Sequence, residues 1–426
     1  MNRGAHQQSM TIGIVADDIS PRLVYTVSMV FKRFLGIRFE LISTDDWNTG
    51  EWKLPCIAYS KAKIEGLPSI FACGLLSETH IRLKSEQLNW TSPSEQFLFD
   101  RDILASFFYH LSQYQIYQKG LKTGLDEHGR HPDLEVGYAL HEDLRRLENE
   151  MVRIFPSFQV KREFDYEITI DVDHPWKHRH KPALVKWGGL LKSIFKPNEF
   201  KERWAAIFDK KDPYDVLSEV KRLCPADKTK VFFLVGGSHS NDSRFNIEMP
   251  EYKRLVKNWQ SAGFEIGLHP SYETFKNAEL LRQQKTDLLT VVGQVNISRQ
   301  HYLRYATPTT FRNLLEAGIQ REYSICPKTS VGLVTGISLP YLWYDLERNE
   351  PTTLEIVPAV AMDRTLLSEM GLSPKEAIEV LQASIKKLRD SRGRFVIILH
   401  NETFSSSGEW QGWLEVIEKT MLALQE

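Results

Sequence analysis

Cysteine is scarce in this chain of 426 residues: four are present, Cys56, Cys73, Cys224 and Cys326, widely spaced and with no CxxC pair. That scarcity excludes a disulfide-built scaffold and a zinc–thiolate site, and reduced thiols in a cytoplasmic setting are expected. Long apolar runs are missing too. No stretch is apolar enough to span a bilayer, and the polar opening MNRGAHQQSM lacks an apolar signal core. The expectation is a soluble cytoplasmic protein with no membrane span. A surplus of one charge is the third absence, since 54 Lys and Arg face 55 Asp and Glu for a formal net charge of −1. This balance removes any global electrostatic argument for nucleic acid or an anionic membrane as the main partner. One local basic cluster, Lys177, His178, Arg179, His180 and Lys181, reads as a solvated loop. Repeats and low-complexity segments are also lacking.

What is present fits a globular protein of two domains. The length exceeds what one core usually organises, and 42% hydrophobic with 26% charged residues is an ordinary balance. Residues 11–15 and 38–42 read as strands around a helical stretch near 21–35. Ile103, Leu104, Phe107, Phe108, Leu111 and Tyr114 keep helical spacing and predict an amphipathic helix over 100–117. A turn-prone segment, 126–132, precedes another helix near 141–153. The boundary falls between Phe155-Pro156 and Phe164. A smaller α/β domain of unreadable role (1–158) is therefore expected before a larger one (159–426).

Beyond residue 160, short apolar runs repeatedly end in polar residues able to do chemistry. YEITI (166–170) leads to Asp171 and Asp173; VFFLV (231–235) leads to GGSH with His239; FEIGL (264–268) leads to His269 and Glu273. VNIS (295–298) leads to Arg299 and His301, LEIV (354–357) to Asp363, and FVIIL (395–399) to His400. Helical spacing fills the gaps, most clearly in a capping box at Ser373 and Glu376 with Pro374 at the first helical position. Alternating buried strands and helices predict a parallel sheet. Polar side chains at several strand ends are what a β/α barrel gathers round one mouth, and a doubly wound open sheet ranks second.

Asp171 and Asp173 are two apart and share one side of an ideal strand. One could hold a divalent cation while the other takes a proton from water. His269 offers an imidazole ligand, and Glu273 lies one helical turn further on. His400 could protonate a leaving amine, and Arg299 could orient an aspartate or steady an oxyanion. Singly, each is more often a turn former or a cap, and Asp363 alone reads as a turn residue. The joint pattern carries the argument.

Thr169-Ile-Asp171-Val-Asp173 resembles the first motif of the polysaccharide deacetylase superfamily (NodB-homology domains, carbohydrate esterase family four). Glu265-Ile-Gly-Leu-His269-Pro-Ser-Tyr272 is similar to its second motif, and Leu399-His400 to its last. The whole chain is similar to a bacterial branch of that superfamily with an extra N-terminal domain. Shared features are Phe99-Asp100, the 126–130 segment, Arg299-Gln-His301-Tyr-Leu-Arg304 and Met362-Asp363-x-Thr-Leu366. The resemblance implies a distorted seven-stranded β/α barrel that removes acetyl groups from amino sugars, a hydrolase on carbon–nitrogen bonds other than peptide bonds. It implies a divalent metal, Zn²⁺ first, with Asp171 as catalytic base, His400 as general acid, Arg299 beside them, and Asp173 and His269 as ligands. Glu273 stands where the family has its second histidine, so Glu273 or His301 completes the ligand set. A carbohydrate substrate is implied, with Tyr272, Trp343 and Asp363 as candidate contacts. Trp343, Tyr341 and Tyr344 could stack on sugar rings or pack as core. The segment 332–336 lacks the Phe-Arg pair expected there, which removes a guanidinium for a carboxylate or phosphate. Two other readings stand beside this one. They are an inactive relative binding a glycan or a partner, and a glycosidase using two carboxylates.

Overall fold

The computed structural model describes residues 10–82, 89–133, 136–208 and 212–426 of a mixed α/β protein. The chain divides into two compact units. One holds the chain up to Phe164 together with Leu333–Pro358 and Arg389–Gly393. The other holds Asp165–Gly332, Ala359–Leu388 and Arg394–Glu426.

In the first unit, β1 (Thr11–Ala16), β2 (Arg38–Ser43), β3 (Cys56–Ser60) and β4 (Ser69–Phe71) pair in parallel in the order β2-β1-β3-β4. Parallel neighbours need crossovers, and the first begins with the helix Pro21–Val27. Its start is set by the Ser20 hydroxyl, which accepts from the Leu23 N–H, and by proline at the first helical position. A side chain at Gly13 would come within 2.5 Å of Cys56 Sγ, so its absence lets β1 and β3 close up.

The stretch expected as one helix over 100–117 forms two, Ile103–Leu111 and Tyr114–Lys119. Gln113 takes a left-handed φ of 53° between them, which ends the first helix despite unbroken apolar spacing. The six periodic apolar residues are all buried nonetheless. Further on, Ala139–Ile154 is helical. The Asp126 carboxylate accepts from the backbone N–H groups of His128 and Arg130 and from the Arg130 guanidinium, which makes 126–130 a self-closed turn.

The remaining strands, in chain order, are β5 (Asp165–Val172), β6 (Thr229–Leu234), β7 (Glu265–His269), β8 (Ile297–Ser298), β9 (Arg321–Glu322), β10 (Tyr341–Asp345), β11 (Glu350–Ile356), β12 (Ala361–Met362) and β13 (Arg394–His400). β10 and β11 form an antiparallel pair in the first unit. The second unit carries parallel ladders in the order β9-β8-β7-β6-β5-β13-β12. Ile168, Ile170, Val231–Leu234 of β6 and Phe395–Ile398 of β13 are almost without exposure. Continuous apolar runs of this kind belong to strands covered on both faces. Helices such as Pro250–Ser261, Ala278–Val292 and Pro374–Asp390 lie between the strands. The last opens with the capping box: the Ser373 N–H donates to the Glu376 carboxylate, and the Glu376 N–H reaches the Ser373 hydroxyl.

Candidate metal centre

Parallel strands start at one edge of the sheet and end at the other, so their last residues share an edge. Register then decides who meets. His400 lies opposite Asp171, Leu234 opposite His269, and Leu268 opposite Ser298. The carboxyl ends of β5, β7, β8 and β13 thereby bring together Asp171, Asp173, His269, Arg299, His301 and His400.

Three of these converge most closely. Asp173, His269 and His301 each offer a ligand atom, all within 4.8 Å of one another. His269 Nδ1 lies 2.6 Å from the Arg299 carbonyl, which can only accept, so Nδ1 carries the proton. Its Nε2 then faces Asp173 Oδ1 at 3.2 Å. His301 Nδ1 lies 3.1 Å from the Asp242 carboxylate, which turns its Nε2 toward Asp173 Oδ2 at 3.5 Å. Asp173 Oδ1 is buried and has no aligned hydrogen-bond donor. With both imidazoles neutral, their Nε2 atoms and the carboxylate oxygens form one convergent set of acceptors, an arrangement that a bound cation satisfies. The donor set of one carboxylate and two imidazoles suits a divalent transition ion, so these residues fit a metal.

Around that trio stand two ion pairs. Arg299, fully buried, donates from Nη1 to Asp171 Oδ1 at 2.7 Å and from Nη2 to the Thr169 hydroxyl at 2.7 Å. Its guanidinium lies 4.6 Å over the Phe232 ring. Gly267 makes room for that ring, because a Cβ there would sit 2.5 Å from it. Asp171 Oδ2 remains on the open side, 3.9 Å from His269 Nε2. Opposite, His400 Nδ1 pairs with Asp363 Oδ1 at 2.7 Å, and His400 Nε2 points at Asp173 Oδ2 from 3.7 Å. The second oxygen of Asp363 accepts from the His400 backbone N–H and the Thr403 hydroxyl.

These contacts set the charges. Burial opposes protonation of His400, yet Asp363, then Asp173 and Asp171, lift its pKa to about 10. Burial likewise works against the His301 imidazolium, and Asp173 with Asp242 outweighs it, giving about 9. Burial would raise the Asp173 pKa, but His301 and His269 facing it hold it well below the usual carboxylate range.

Other candidates fall elsewhere. Glu273 is exposed at the start of a short turn and lies outside the ligand trio, because the chain after Pro270 does not begin a regular helix there. Tyr272 is buried between the His239 ring at 4.1 Å and the Arg304 guanidinium at 3.7 Å. Asp363 is 1% exposed, with its carboxylate turned to His400 and Thr403. Trp343, Tyr341 and Tyr344 belong to the first unit and are buried there. Asp242, in the loop after β6, escaped the sequence reading. It holds both His301 and the Tyr272 N–H. The only signal for it was an acidic residue three positions beyond His239 in a glycine-rich strand exit.

Beneath the site, the fully buried Glu322 carboxyl accepts from the hydroxyls of Ser298 and Ser324. Burial raises its pKa from 4.5 to about 7 against those hydrogen bonds and the charge of Arg299. Because the folded pKa is the higher one, its contribution is fully present below about pH 4.5 and is lost as pH rises through about 7, on the order of 3 kcal/mol. Glu322→Gln, which stays neutral, is expected to flatten that decline. Melting temperatures of both proteins between pH 5 and pH 8 check this, and parallel curves would contradict it.

Residues 12–144 match a family of unknown function (DUF7033). No curated protein matches the chain. Among solved structures, a "putative polysaccharide deacetylase" from Mycobacterium smegmatis is similar at 16% identity and a TM-score of 0.39, over 62% of this chain and 86% of that one. Agd3, described as a novel carbohydrate deacetylase, is similar at 8% identity and a TM-score of 0.36, over 97% of this chain and 84% of that one. Both likenesses are remote, and neither assigns an activity. Among the described residues no helix is long and apolar enough to cross a membrane.

Proposed function

We propose that this chain is a metal-dependent hydrolase that removes acetyl groups from an amino sugar or a polysaccharide precursor, with its second unit a distorted β/α barrel. The observation that carries the metal is geometric: an imidazole nitrogen each from His269 and His301 and a carboxylate oxygen of Asp173 lie within 4.8 Å of one another. Zn²⁺ is the first choice for that donor set. When bound, such an ion supplies a Lewis acid for an acyl carbonyl and makes water at the site more acidic.

The protein's own residues divide the proton work. Asp171, turned by Arg299 so that Oδ2 stays free, accepts a proton from the attacking water as its oxygen bonds the acyl carbon. His400, kept charged by Asp363, donates its Nε2 proton to the departing nitrogen as the C–N bond breaks. The products are acetic acid, which ionises to acetate in water, and a free amine; Asp171 has gained one proton and His400 has lost one. Asp242 orients His301 as Asp363 orients His400. The acetylated amino sugar follows from the motif resemblance.

Purification without chelators, followed by metal analysis and an acetate-release assay on N-acetylated amino sugars, tests the proposal. About one equivalent of ion and acetate release that stops on chelation are expected. A protein that binds no divalent ion even after reconstitution would sink it.

A further inference from the structure

The basic cluster at 177–181 opens a segment with an unusual surface. Residues 176–208 contain eight Lys and Arg against two Glu, a formal +6 in a chain of −1. Two helices form there, Ala183–Lys192 and Pro197–Ile207. Their apolar periodicity is clear, but it faces outward. Leu184, Trp187 and Leu191, at helical spacing on the first helix, are exposed at 89%, 52% and 67%. Phe195 in the turn is 94% exposed. Along the second helix and its end, Phe200, Trp204 and Phe208 pack ring against ring, with centroids 6.0 and 5.0 Å apart, and the last two are exposed. Of fifteen exposed large apolar side chains among the described residues, eight lie between Leu184 and Phe208. A solvated loop does not carry such a face.

The hairpin is rooted firmly. The buried Asp212 carboxylate accepts the backbone N–H groups of Lys177, His178 and Arg179. Lys177 Nζ reaches Glu202 at 3.0 Å and also the Ser407 hydroxyl, in the turn that follows His400. The hairpin thus leaves β5 just beyond Asp173 and is tied to the turn after β13, on the edge of the sheet that carries the metal centre.

We infer that this hairpin docks the protein on an anionic lipid surface, lying in the bilayer interface without crossing it. Charge complementarity selects the occupant. Lysines interleave with tryptophan, phenylalanine and leucine, so the apolar side chains can enter the acyl boundary while the ammonium groups stay at lipid phosphates. A second copy of the chain would instead bring like charges together at the same face. The overall charge balance conceals this asymmetry, because the rest of the chain is correspondingly acidic. The inference stands independently of the hydrolase assignment.

Flotation of the full chain with vesicles tests it. Binding is expected to phosphatidylcholine vesicles containing phosphatidylglycerol, weakening with added salt, with little binding to phosphatidylcholine alone. Lys186→Ala should weaken the partition about fivefold, and adding Lys192→Ala should weaken it by a similar factor again. Leu191→Glu with Phe195→Glu should reduce it on the order of a hundredfold or more without lowering the melting temperature. Equal partition onto neutral and anionic vesicles, or none onto either, would overturn the inference. So would a solution dimer that the Leu191→Glu, Phe195→Glu pair converts to a monomer while vesicle binding is absent in both.

Discussion

Alanine at His301 empties the metal centre, whereas alanine at Glu273 leaves it loaded. Three acceptor atoms meet at the centre, and two of them are imidazole nitrogens whose tautomers are set by partners behind them. Removing one of three protein ligands costs more than loosening a partner behind a ligand, which alone weakens binding about 10- to 100-fold. Affinity should therefore fall by at least about two orders of magnitude, and the ion should be lost during purification. Glu273 is exposed and outside the trio, so its loss removes no ligand. Metal analysis of both variants, with Zn²⁺ titration of the stripped proteins, decides between them. Retention in His301→Ala with loss in Glu273→Ala would show that the ligand set is wrong.

Asp171→Asn is expected to lower kcat about 10³- to 10⁴-fold while the protein keeps its ion. An amide can still accept from Arg299 Nη1 and so preserves the geometry, but it cannot take a proton from water. The ligand trio does not include Asp171, which separates this effect from metal loss. A second consequence is physical. Arg299 is fully buried, and Asp171 is its carboxylate partner at 2.7 Å, so the variant holds an uncompensated charge in the interior. Removing one partner of a buried pair costs about 3–5 kcal/mol, and the melting temperature should fall together with the rate. A variant that keeps full activity would remove Asp171 from the proton chemistry. A variant that loses its metal would make Asp171 a ligand.

Much of the site could be read from the chain because buried parallel strands announce themselves. Asp171, His269, Arg299, His301 and His400 each follow an apolar run, and the strand that the run forms ends beside them. Asp242 escaped because it lies seven residues past the end of its run, in a loop whose path no periodicity describes. Asp363 read as a turn residue, yet it is the carboxylate behind His400. Only the β12–β13 pairing, with Met362 opposite Ile398, brings it there. The return of Leu333–Pro358 to the first unit left no mark either, so Trp343 looked like any aromatic near a strand.

Composition and pattern by themselves determined the alternation of strands and helices and the residues at strand ends. Those depend on local periodicity and on which side chains water rejects. The tertiary structure alone decided which strand-end residues share a cation, since ligation depends on inter-strand register rather than on distance along the chain. It also decided that the apolar faces of the 183–207 hairpin look outward. Amphipathic spacing records that a helix has an apolar side, and only packing determines whether protein or something else covers it.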